Sequence, residues 1–68
     1  MDNKITIGQL VYIVNNVTGK RAYGRVVGFG RKNVKVQFKN FLGEYITRVD
    51  GVPMTEMVPA KKLHLILM

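Results

Sequence analysis

The side chains with the clearest chemical potential are cations. Lys20, Arg21, Arg25, Arg31, Lys32, Lys35 and Lys39 all fall between positions 20 and 39. Guanidinium and ammonium groups at this density suit phosphate binding, because each offers charge-assisted N–H donors to an anionic oxygen. Over the whole chain, eleven Lys and Arg stand against four Asp and Glu, a formal charge of +7. That excess costs the compact state through self-repulsion and concentrates polyanions at the surface, the electrostatic footprint of a nucleic-acid binder. A solvated coat that discourages edge-to-edge aggregation is the plainer explanation of the same residues. Among Tyr12, Tyr23, Phe29, Phe41 and Tyr45, the best claims to exposure belong to Tyr23, beside the basic loop, and Phe41, in a turn. Exposed rings of this kind stack on unpaired bases without regard to sequence, since every base has a π-face.

Other chemistry finds little support. His64 is the only histidine and there is no cysteine, so no zinc ligand set can be assembled. Asp2, Glu44, Asp50 and Glu56 are dispersed and form no acid/base pair. Thr18-Gly19-Lys20-Arg21 lacks the upstream glycine spacing and the following Ser/Thr of a phosphate loop, and Gly28-Phe29-Gly30 lacks the third glycine of a dinucleotide fingerprint. The expectation is a protein that is not an enzyme, with no catalytic residue, metal or cofactor.

The elements that must position the cations are short. A chain of 68 residues makes one domain, residues 1–68, with 1–7 as an N-terminal arm or short strand. Without cysteines it has no disulfide to supplement a small core. The longest apolar run, Leu63 to Met68, is broken by His64 and falls far short of the ~20 residues that span a bilayer. Met1-Asp2-Asn3-Lys4 does not open a secretory leader, so the chain reads as soluble and cytoplasmic. The tail Leu63, Leu65, Ile66, Leu67 and Met68 reads as a core strand, with a homodimer interface or docking on a host protein left open.

Valine and isoleucine dominate the apolar residues, which favours strands. Gly8 to Val14 reads as strand one, with Val11 and Ile13 inward, ending at Asn15-Asn16. Ala22 to Phe29 reads as a second strand bent at Gly24 and Gly28. Gly30 to Asn33 connects it to Val34–Lys39, where strict alternation places Val34, Val36 and Phe38 in the core and Lys35, Gln37 and Lys39 on the opposite face. A fourth strand is expected over Glu44–Val49. Asp50-Gly51 is expected to form a two-residue hairpin, and Val52–Val58 to return as an edge strand. Pro59 to Leu63 suits a single 3₁₀ turn, and His64 to Leu67 a last strand that closes the sheet. The fold class is all-β: a small barrel of about five short antiparallel strands with one 3₁₀ turn near the C-terminus.

Gly19, Gly24-Arg25-Val26, Phe29 and Val34-Lys35-Val36, preceded by Val11-Tyr12-Ile13-Val14, resemble the KOW motif of ribosomal proteins and transcription elongation factors. The likeness covers residues 11 to 38 and places Gly24 between a basic loop and a hydrophobic strand entered at Val26. It implies a five-stranded SH3-like barrel and contacts with RNA, DNA or a protein that works on them. Plasmid-borne type II dihydrofolate reductases are also SH3-like, but Val36-Gln37-Phe38-Lys39 departs from their Val-Gln-Ile-Tyr segment.

The leading functional reading is a sequence-tolerant nucleic-acid-binding module that contacts DNA or RNA phosphates through the seven cations, drawn together by the approach of loops one and two. Four to six phosphate contacts on a duplex would give a log–log salt slope of about −4 to −5. The alternative is a protein-interaction module or inhibitor that docks on an acidic surface of a host transcription, translation or replication protein.

Overall fold

The computed structural model describes residues 5–67. Five strands form one antiparallel sheet: β1 (Leu10–Val14), β2 (Arg21–Phe29), β3 (Asn33–Phe38), β4 (Glu56–Pro59) and β5 (His64–Leu65). A 3₁₀ turn, Ala60–Lys62, links the last two strands, as the Pro59–Leu63 segment predicts. The spatial order is β4-β3-β2-β1-β5, so the sheet is open, with β4 and β5 at its edges. Among the described residues no helix is long and apolar enough to cross a membrane.

Alternation creates the core. Val34, Val36 and Phe38 of β3 point inward and are buried with Val11, Val26 and Val58, while Ile13, Ala22, Ile46 and Leu65 pack against them. The inward rows are set by register, with Val11 and Phe38 both opposite Gly24 and Val36 opposite Val26. Between Val26 and Gly28 the register shifts by one residue, a bulge that bends β2 as its glycines predict. Because side chains alternate with period two, the extra residue shifts the pairing, so Phe29 comes opposite Val34 while remaining 53% exposed, and Gly28 comes opposite Lys35.

Several expectations are corrected. Glu44–Val49 is not a strand; Tyr45 makes a single bridge with Lys39, Ile46 packs against the core with its carbonyl accepting from the Gln37 side chain, and Thr47 then pairs with Pro53. The lane beside β3 is shared: β4 occupies it from Asn33 to Val36, which leaves only the end of β3 for Tyr45 and Ile46. Residues 45–54 therefore fold on themselves as a short excursion. Its tip is a three-residue loop rather than a two-residue one: Arg48 N–H donates to Val52 O at 2.7 Å, and Gly51, at φ 87°, donates to Arg48 O at 2.8 Å. This is a turn followed by a left-handed residue, the geometry that glycine favours. The returning edge strand is limited to Glu56–Pro59, and the last strand to His64–Leu65, so the sheet does not close. Strand one begins at Leu10, not Gly8, since residues 7–8 form a turn in which Gly8 N–H donates to Val26 O. The expected arm falls outside the described residues at positions 1–4, as does Met68 of the apolar tail.

Candidate nucleic-acid interface

The face of the sheet opposite the core gathers cations and rings. The β1–β2 register places Leu10 beside Arg25, Tyr12 beside Tyr23 and Val14 beside Arg21, all on the side away from buried Val11. On β3, Gln37 pairs with Arg25 and Lys35 with Gly28 on this face, and Lys39 follows in the same alternation. β5 adds His64 next to Tyr12.

These side chains touch. His64 lies parallel on Tyr12 with ring centroids 4.7 Å apart, and Tyr12 meets Tyr23 at 5.6 Å in a tilted pair. The Arg21 guanidinium sits 4.5 Å from the Tyr12 ring centre. Farther along β2, the Arg25 guanidinium lies 4.0 Å over Tyr45, and the Lys39 ammonium approaches the same ring at 5.1 Å. All three distances are within the ~6 Å range in which a ring quadrupole attracts a cation. The neighbouring Tyr23 hydroxyl, followed by the charge effects of Tyr12 and Tyr23, holds the Arg21 pKa above the ordinary guanidinium value.

Gln37 lies on the face opposite the core, as alternation predicts, yet it is only 1% exposed. The chain at Tyr45 and Ile46 folds back beside the end of β3, and Gln37 Nε2 donates to Ile46 O at 2.9 Å. Its Oε1 accepts from Arg25 through both Nε, at 3.2 Å, and the second guanidinium nitrogen, at 3.0 Å. One amide thus holds Arg25 over Tyr45. Gln37→Leu keeps the volume, leaves the Ile46 carbonyl with only the Met54 N–H as donor, and releases Arg25. It is expected to lower stability by about 1–2 kcal/mol, read from the urea midpoint.

Two loops border this face at the Arg21 end of β2. Asn15 organises the β1–β2 loop: its Oδ1 accepts from Val17 N–H at 2.8 Å and Thr18 N–H at 3.2 Å, and Gly19 turns at φ 74°. Lys20, at the end of that loop, is exposed and leads into Arg21. Asn40 does the same after β3: its Oδ1 accepts from Leu42 N–H at 2.9 Å and Glu44 N–H at 3.0 Å, with Gly43 at φ 81°. That turn presents Phe41 at 96% exposure. A cleft of about 570 Å³ is lined by Arg21, Tyr23, Lys39 and Phe41, with Leu10 and Ile66 among its apolar residues.

The seven predicted cations therefore do not form one compact group. Arg21, Arg25, Lys35 and Lys39 share the outer face. Lys20 stands at one end of β2, while Arg31 and Lys32 occupy the β2–β3 turn at the other. Loops one and two are separated by the nine residues of β2 and do not approach one another; extended, a strand of this length spans roughly 26 Å. Among the described residues the one ion pair is Arg48–Asp50, at 3.3 Å in the tip of the 45–54 excursion. The described residues contain no cluster of three or more metal-ligating His, Cys, Asp or Glu side chains.

The sequence placed Gln37 on this face and named Tyr12 and Tyr45 among the candidate stacking rings, although it gave the best claims to Tyr23 and Phe41; it passed over His64. Tyr12 sits out of phase with the inward residues of β1, and Tyr45 follows a turn. For the burial of Gln37 and the stacking of His64 no local signal exists, because their partners are distant in sequence. Compared with known proteins, the chain matches no family model, no curated protein and no solved structure.

Proposed function

We propose that this protein is a non-enzymatic nucleic-acid-binding module on an SH3-like, partly open barrel, and that its outer face is the binding surface. The strand order β4-β3-β2-β1-β5, the bulged central strand and the 3₁₀ turn between the last two strands support that architecture. The observation that carries the functional reading is the placing of Arg21, Arg25 and Lys39 against tyrosine rings on one face, with Lys35 beside them. Cations held this way have lost part of their freedom before a ligand arrives, which lowers the entropy cost of contacting a phosphate. Arg25 uses two of its donors on Gln37 and keeps the others for an anion. Phosphate contacts carry no base information, so binding is sequence-tolerant.

The test compares cations of equal charge and different position. Arg21→Ala and Lys39→Ala should each reduce the salt slope of oligonucleotide binding by about 1, measured by fluorescence anisotropy across a salt series. Arg48→Ala removes the same charge from a residue already paired with Asp50, and should leave the slope unchanged. Equal effects from all three would mean that net charge alone drives binding and that the face has no special role.

A further inference from the structure

We infer that the ligand of this face is a single strand rather than a duplex, and that one of its bases enters the cleft between Tyr23 and Phe41; this rests on the nucleic-acid reading above. Phosphate binding explains the cations and the Tyr12 and Tyr45 rings that hold them, but not Tyr23 or Phe41. Phe41 is 96% exposed although its turn is fixed by two hydrogen bonds to the Asn40 side chain and by Gly43, so the ring is displayed on an ordered support. Tyr23, 43% exposed, lines the same cleft with Arg21 and Lys39, which places phosphate donors beside the two rings. Across the sheet Tyr12 and His64 continue the aromatic surface from Tyr23. In a duplex the faces of the bases are stacked on one another and a protein reaches only their edges in the grooves. Only unpaired bases offer the π-faces that such rings can meet, and the positive charge around the cleft complements the backbone that carries them.

The experiment uses labelled oligo(dT), oligo(rU) and a duplex of equal length, with the full chain and two variants. Both single strands should bind more tightly than the duplex, and any difference between them tells a deoxyribose from a ribose ligand. Phe41→Ala should weaken single-strand binding by about fivefold or more while leaving duplex binding unchanged. Its thermal unfolding should match the parent, since the ring packs against little. The chain has no tryptophan, so Phe41→Trp creates a single reporter whose fluorescence should be quenched by the single strands and not by the duplex. If single strands bind but Phe41→Ala binds them as well as the parent, or the fluorescence of the Phe41→Trp variant does not change, the stacking inference falls and the phosphate reading stands. If none of the three nucleic acids binds at low salt, the nucleic-acid reading itself falls.

Discussion

Replacing Gly24 with alanine is expected to lower the unfolding temperature by roughly 10–20 °C. A Cβ at this position would lie 2.6 Å from the Gln37 carbonyl oxygen and 3.0 Å from both Phe38 Cα and Val36 Cγ1. The first two are backbone atoms of β3, so no rotamer change relieves the contact. The strands themselves must part. Gly24 pairs with Val11 on one side and Phe38 on the other, in the middle of the sheet, and the adjacent Lys39 N–H bond to Tyr23 O, 2.7 Å long, would open with them. Overpacking a tight interior costs about 1–3 kcal/mol, and the backbone origin of this clash places it in the upper half of that range. In a domain of this size each kcal/mol moves the midpoint by about 4–8 °C. Gly28→Ala is the matched control. Its Cβ would meet only the Lys35 side chain, at 3.6 Å and 3.7 Å, an ordinary contact, so its effect should stay within about 0.5 kcal/mol. Equal midpoints for the two variants in differential scanning calorimetry would show that β2 and β3 separate freely, contrary to the close packing of their backbones.

Oligonucleotide affinity should fall roughly 50- to 150-fold when salt rises from about 50 to 200 mM. Four cations share the outer face: Arg21, Arg25, Lys35 and Lys39. Each phosphate neutralised releases about 0.7 counterions from a single strand and 0.9 from a duplex, so four contacts give a log–log slope of about −2.8 to −3.6. This is shallower than the value expected if all seven cations of positions 20–39 converged. The reason is geometric: Arg31 and Lys32 lie beyond the far end of β2 from Lys20 and Arg21. A slope near zero would mean that these cations contact no phosphate. Retention on polyglutamate with no oligonucleotide binding at the lower salt would instead assign the face to an acidic protein.

The core was legible because it follows a local rule. Val34, Val36 and Phe38 alternate with polar residues, and a strand with one buried face admits no other phase. The bend of β2 was legible from its glycines: at Gly24 a side chain would strike the β3 backbone, and Gly28 flanks the bulge. The 3₁₀ turn followed from Pro59 and the short stretch behind it. The Glu44–Val49 segment misled for the opposite reason. Its β-branched and aromatic residues suit a strand, but strand propensity acts only where a partner is vacant, and β4 already occupies most of the β3 edge. Gln37 took the face that alternation assigns, but its burial was not legible, because alternation assigns a face, not an exposure, and Tyr45 and Ile46 lie against that face.

What the chain carries in its residue order is the period of each strand, the positions that can turn, and an excess of positive charge with no acid/base or metal set to accompany it. These are properties of neighbours one to four positions apart. Tertiary structure alone decided that His64 stacks on Tyr12, that Gln37 ties Arg25 to the chain at Ile46, and that the cations divide between one face and the two ends of β2. Such pairings depend on hydrogen-bond register between strands and on a single extra residue at the bulge, which shifts the pairing of β2 with β3 without altering the composition of either strand.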